Sequence, residues 1–197
     1  MFDEDLYKTK SELIKNTYLY YLEINYDNLK KMILHMKNLE LLTNFKVDLY
    51  ENQKGINITY HRDSIICCGG YDGKDRLNTC TIVNLESKKL DYSTKLNEKR
   101  RACALVSCCN YIFCIGGYHD KILTVCEYLD TSQNSSWKLG KPLNVADSCI
   151  TTIFVDPNFI YTFGGGFHNS IERLNISSLD NKWEKLDMAN LSKRSWG

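Results

Sequence analysis

The sequence has almost no net charge: 25 lysines and arginines face 24 aspartates and glutamates, leaving +1. A chain that neutralises nucleic-acid phosphates carries a basic excess, so nucleic acid is not the expected partner. No apolar run approaches the roughly 18 residues of a membrane-spanning helix. Phe2-Asp3-Glu4-Asp5 is not the basic-then-apolar start of a secretory signal, and no membrane association is expected. Cys-x-x-Cys is missing too, although there are nine cysteines. A zinc site gathers four ligands, usually from paired knuckles, and an odd cysteine count makes a poor disulfide framework. Most of the cysteines stand in apolar runs and read as reduced, buried small hydrophobes. Reduced thiols belong to a reducing compartment, so a cytoplasmic location is expected. Phosphate loops of the form Gly-x-x-x-x-Gly-Lys-Ser/Thr, Gly-x-Ser-x-Gly elbows and His-Glu-x-x-His pairs do not occur. The four histidines (His35, His61, His119 and His168) are scattered. Catalytic residues, cofactors and metals are therefore not expected, and neither is an enzyme.

What the sequence does have is a repeat. Three glycine doublets each close a short apolar run: Ile65 to Gly70, Tyr111 to Gly117, and Ile160 to Gly165. Their first glycines stand at 69, 116 and 164, that is 47 and then 48 residues apart. Before each doublet an apolar stretch (Ile56 to Tyr60, Ala102 to Cys108, Ile150 to Val155) leads into a polar turn at Asp63, Asn110 or Pro157-Asn158. Two apolar runs separated by turn residues are a hairpin signal. A glycine doublet at the strand end permits positive φ and close backbone approach. Beyond it come a polar turn, a third strand with Glu127-Tyr128 or Glu172-Arg173, a further turn and a tryptophan, Trp137 or Trp183. In the first repeat Leu90 stands in the tryptophan's place, and Val83-Asn84 is read where Glu-Tyr would sit. Each repeat thus predicts four short antiparallel strands, which is one blade of a propeller.

Gly-Gly, an aromatic, Glu-Tyr or Glu-Arg, then Trp, in a unit of about 50 residues, resembles the kelch repeat. Gly69-Gly70-Tyr71-Asp72-Gly73-Lys74-Asp75-Arg76-Leu77-Asn78 is similar to the blades of BTB-kelch proteins. The resemblance implies an all-β fold: a partial kelch β-propeller of about three four-stranded antiparallel blades, plus a degenerate N-terminal part. Residues 55–197 carry the repeats. Residues 1–54 remain open between a degenerate blade, with Leu22 to Asp27 as its third strand and Leu29 in the tryptophan place, and a helix over 28–42. At the other end Lys193-Arg194-Ser195-Trp196-Gly197 aligns with Lys99-Arg100-Arg101-Ala102-Cys103, as if another blade opened there. The chain is accordingly expected to be a fragment or part of an assembly, whose open strand edges favour self-association. Cys67 and Cys114 hold one repeat position and are expected to be free thiols that neighbour each other in adjacent blades.

Loops on a rigid scaffold concentrate recognition residues. The candidate partner-binding residues are Tyr71, Asp72, Lys74 and Arg76 after the first doublet, Tyr118 and His119 after the second, and Phe167 and His168 after the third. Arg100 and Arg101, leading into the second blade, complete the set. The resemblance implies contact with substrate peptides at the aromatics that follow Gly-Gly and at the arginine leading into the first strand. Tyrosine beside arginine suits a protein or peptide partner, an acidic one in particular. The expected function is a protein-interaction module, the substrate-recognition part of a BTB-kelch ubiquitin-ligase adaptor. An actin-binding or scaffolding kelch protein is the alternative, with a propeller enzyme a distant third.

Overall fold

The computed structural model describes residues 54–187 except 85, 86, 88, 92, 93, 134 and 135, and the backbone of two strands nearer the N-terminus. The chain divides into two compact units, Met1–Glu51 and Asn52–Gly197. In the first unit, β1 (Tyr20–Ile24) and β2 (Met32–Met36) pair antiparallel, with Tyr20 opposite Met36 and Ile24 opposite Met32. Met32–Met36 is therefore strand where the alternative reading put a helix over 28–42, because it pairs with β1; Leu29 and Lys193 to Gly197 lie outside the described residues.

The second unit is a run of three four-stranded antiparallel meanders, each in sequence order. Blade 1 comprises β3 (Asn57–His61), β4 (Ser64–Cys68), β5 (Cys80–Asn84) and β6 (Leu90–Asp91). Blade 2 comprises β7 (Ala104–Cys108), β8 (Tyr111–Ile115), β9 (Cys126–Asp130) and β10 (Lys138–Leu139). Blade 3 comprises β11 (Thr151–Val155), β12 (Phe159–Phe163), β13 (Ile171–Asn175) and β14 (Glu184–Leu186). The described residues are thus all-β.

Each blade starts from a tight hairpin. His61 pairs with Ser64, and Cys108 with Tyr111, leaving two-residue turns whose first residues, Arg62 and Cys109, have φ of 51° and 52°. Positive φ at that place matches the twist of the flanking strands. The register also corrects one reading. Cys68 lies opposite Cys80, and Ile115 opposite Cys126, so Thr81-Ile82 rather than Val83-Asn84 occupies the place of Glu127-Tyr128.

Blade 2 is the centre of the unit. Its β7 packs beside both β3 and β11, so the first strands of the three blades are neighbours. Alternation along each strand sends side chains to opposite faces. Leu105, Ile112, Cys114 and Leu129 pack with Ile66, Cys68, Cys80 and Leu96 of blade 1. Val106, Phe113, Ile115 and Cys126 pack with Ile160, Leu174 and Trp183 on the side of blade 3. Trp137 closes the first of these cores and Trp183 the second.

All nine cysteines are free thiols, and only Cys109 and Cys149 are exposed. Cys67 and Cys114 are not core neighbours, however. Equal repeat positions face the same way, so Cys114 meets Cys68, Cys80 and Cys103 in the core between the blades. The same rule exposes blade 3. Val106 and Cys108 are 6% and 2% exposed beneath it, whereas their counterparts Ile153 and Val155 are 51% and 43% exposed.

The doublets tie the blades together. Gly70 donates to the Arg100 carbonyl at 2.8 Å, and Gly117 donates to the Asp147 carbonyl at 2.9 Å. Those carbonyls belong to the straps leading into the next blade. A Cβ at Gly69 would stand 2.4 Å from the Arg100 oxygen, and one at Gly116 2.6 Å from the Asp147 oxygen. With φ of 68° and 61° as well, neither position accepts a side chain without strain. The 47-residue spacing therefore repeats a steric demand.

Candidate functional site

The loop after each doublet carries the candidate residues, and blade 1 shapes its loop from within. Asp72 Oδ1 accepts the amides of Lys74 and Asp75 at 2.8 and 2.7 Å, and the Tyr71 hydroxyl donates to the Gly73 carbonyl. These amide bonds hold the exposed Asp72 carboxyl below the usual range. The turn brings Arg76 back opposite Tyr71 in a bridge pair. Tyr71 also exchanges two backbone hydrogen bonds with Lys54, and Tyr118 exchanges two with Arg101. Each aromatic is thereby pinned to the strap that leads into its own blade.

Four of the candidate residues meet between blades 1 and 2. The Arg76 guanidinium carbon lies 5.7 Å from the Tyr71 ring centroid and 5.2 Å from that of Tyr118. Arg101 lies 5.5 Å from Tyr71 and 5.4 Å from Tyr118. All four are half-buried. Arginine over the face of a tyrosine is an attractive arrangement, worth about 0.5–1 kcal/mol each at exposed sites. Around this cluster, Lys99 pairs with Asp75, and Glu98 approaches His119 Nδ1 at 2.8 Å. The Lys99 hydrogen bond lowers the affinity of Asp75 for protons. Lys74 is exposed on the turn itself.

Arg100 is a correction. It is 0% exposed, and its guanidinium donates to the carbonyls of Gly116 at 3.0 Å and Val125 at 2.9 Å, and to Glu127 at 2.5 Å. Glu127 accepts three more hydrogen bonds, two from Asn97 and one from the Glu98 amide. A buried arginine needs such partners, and having them it faces away from any ligand. Arg100 is a keystone of blade 2, and Arg101 beside it is the surface arginine.

Blade 3 is built differently. Asp147 stands at the repeat position of Arg100, and its carboxylate accepts the amides of Phe167 at 3.3 Å and His168 at 3.1 Å. That loop is three residues shorter than in blade 2, counted from glycine to glutamate: 164 to 172 against 116 to 127. Phe167 is 48% exposed. Among the described residues, no hydrogen bond or ring contact joins Phe167 or His168 to the Tyr/Arg cluster.

One polar network escaped the sequence reading. His61, at the far end of β3 from the doublet, is buried, with Nδ1 2.7 Å from Ser107 Oγ and Nε2 2.9 Å from Thr131 Oγ1. The Thr131 hydroxyl donates to the Asn110 carbonyl, so Nε2 carries the proton and Nδ1 accepts from Ser107. Burial, with Arg62 adding to it, pushes the His61 pKa down. Among the described residues no group of three or more histidine, cysteine or acidic side chains could hold a metal ion.

With blade 2 laid out strand by strand, its sequence can be placed. Residues 99–144, from the strap carrying Arg101 through Trp137, match the family model of the kelch motif. This stretch is a kelch motif. Blades 1 and 3 share the strand order and register of that motif. No curated protein matches the chain. Kelch repeats generally mediate binding between proteins and are typically not enzymes, so the chain is read as a protein-interaction module.

Proposed function

We propose that this kelch-repeat chain is the substrate-recognition part of a BTB-kelch type ubiquitin-ligase adaptor in the cytoplasm, and that it captures an acidic segment of a partner protein between blades 1 and 2. The observation that carries this reading is the Tyr71, Arg76, Arg101 and Tyr118 cluster. Tyrosine and arginine dominate binding hot spots because they offer large contact area with few rotatable bonds to freeze. Here they stand on loops whose backbones are bonded to strand straps, so little ordering is left for binding to impose. In this reading Lys74 and His119 belong to the rim and adjust the approach of a charged partner, and Asp72 shapes the turn.

Tyr71→Ala and Arg101→Ala test the reading in the intact protein. Truncating an anchor at an interface centre typically costs about 2 kcal/mol, roughly thirtyfold in affinity. Each variant is expected to weaken partner capture while the thermal melt stays near that of the parent. An early melt for Tyr71→Ala, or unchanged capture in both, would make the rings structural plugs. Co-purification of the intact protein with a cullin supports the adaptor role. Co-sedimentation with actin filaments without ligase association points to the cytoskeletal alternative.

A further inference from the structure

The two arginines of the cluster have no carboxylate of their own among the described residues. Of the nearby carboxylates, Asp75 pairs with Lys99, Glu98 with His119 and Glu127 with Arg100, while Asp72 accepts the amides of its own turn and Asp120 lies 3.9 Å from His119. Among the described residues neither Arg76 nor Arg101 forms an ion pair. Arg76 Nε is moreover shielded from solvent and has no hydrogen-bond partner among the described residues. A shielded guanidinium N–H with no acceptor is costly, and an arriving acceptor relieves that cost. Both guanidiniums also lie over the same two rings, which gathers two like charges at one place.

From this we infer that Arg76 and Arg101 form a receptor for a phosphate monoester dianion, presented by a phosphorylated side chain of the partner; this rests on the loop-face reading above. The charge balance favours phosphate over carboxylate. A phosphorylated side chain brings about −1.5 to −2 charges and three acceptor oxygens, enough to satisfy two guanidiniums at once. A single carboxylate would neutralise one of them. Guanidinium groups bind phosphate oxygens in pairs, and the rings of Tyr71 and Tyr118 keep the forks in place while the donors turn to the anion. Partner capture would then be switched on by phosphorylation of the partner.

Small probes separate this assignment from the wider one. Phenyl phosphate and phenylacetate present one ring with a dianion or a monoanion, and each is titrated calorimetrically into the full chain. Phenyl phosphate is expected to bind at least about tenfold more tightly, a difference of about 1.4 kcal/mol. Arg76→Gln and Arg101→Gln should each weaken it about tenfold or more, and inorganic phosphate should compete. Arg173→Gln, at a half-buried arginine of blade 3 paired with Glu184, should leave it unchanged. Equal or tighter phenylacetate binding overturns the phosphate assignment in favour of a plain acidic segment. Absent binding, or binding indifferent to Arg76 and Arg101, overturns the receptor altogether. These outcomes are independent of partner capture by Tyr71→Ala, so phosphate bound by a chain whose capture ignores Tyr71 would sink the loop-face reading alone.

Discussion

Removing the Arg100 side chain is the sharpest perturbation the structure offers. In Arg100→Met the stem remains but the guanidinium is lost. Glu127 then stays buried without its cation, and the carbonyls of Gly116 and Val125 lose their donor. Breaking a buried pair from one side costs about 3–5 kcal/mol in general. Blade 3 argues for the lower end of that range. There Glu172, equally buried, accepts the Asn144 amide at 2.8 Å, the Asn144 side chain at 2.8 Å and the Val145 amide at 2.9 Å, with no arginine paired to it among the described residues. A carboxylate in this pocket is therefore tolerable with backbone and amide donors alone. We expect Arg100→Met to cost about 3 kcal/mol, which lowers the melting temperature by about 6–12 °C in a chain of this size. Urea unfolding of the whole chain measures the first quantity and a thermal scan the second. Arg101→Met, on the surface, should stay within about 1 kcal/mol of the parent. Adding Glu127→Gln to Arg100→Met should recover part of the loss, because the uncompensated charge goes too. A loss below about 1 kcal/mol for Arg100→Met would refute the keystone role and return Arg100 to the candidate surface residues.

Two further outcomes follow from local geometry. Gly69→Ala meets the Arg100 carbonyl at 2.4 Å as well as an unfavourable φ, so it should melt early, whereas Gly73→Ala, with nothing within 4 Å, should show only a mild backbone cost in the same scan. His61 is held below its ordinary pKa by burial, so the unfolded chain takes up its proton first. Stability should therefore fall as pH drops below about 6.5, the unfolded value. His61→Gln, which cannot titrate, should flatten that part of the melting-temperature profile, and an unchanged slope would assign the acid sensitivity to other groups.

The sequence reveals this molecule where one demand recurs and hides it where a demand occurs once. The first two doublets were legible because each closes on the carbonyl of the following strap, and only glycine tolerates that approach. Trp137 and Trp183 were legible for the same reason, each filling one core between blades. Arg100 and Arg101 could not be told apart. Strand alternation would have sorted them, but Ala102 at φ 50° interrupts the run before β7 begins. Asp147, with the opposite charge at the place of Arg100, shows that even aligned strap positions differ in use. The His61 network was invisible because its partners lie 46 and 70 residues away. The repeat offers no second copy either: the residue at the place of His61 in blade 2 is Cys108. The binding cluster combines both cases. Tyr71 and Tyr118 follow from the repeat. Arg76 and Arg101 do not, since the bridge partners at those places are Ile122 in blade 2 and Lys54 in blade 1. Two arginines therefore face each other across two tyrosines at one blade boundary among the described residues. The repeat builds the frame, and the departures from it at Arg76 and Arg101 make one boundary unlike the next.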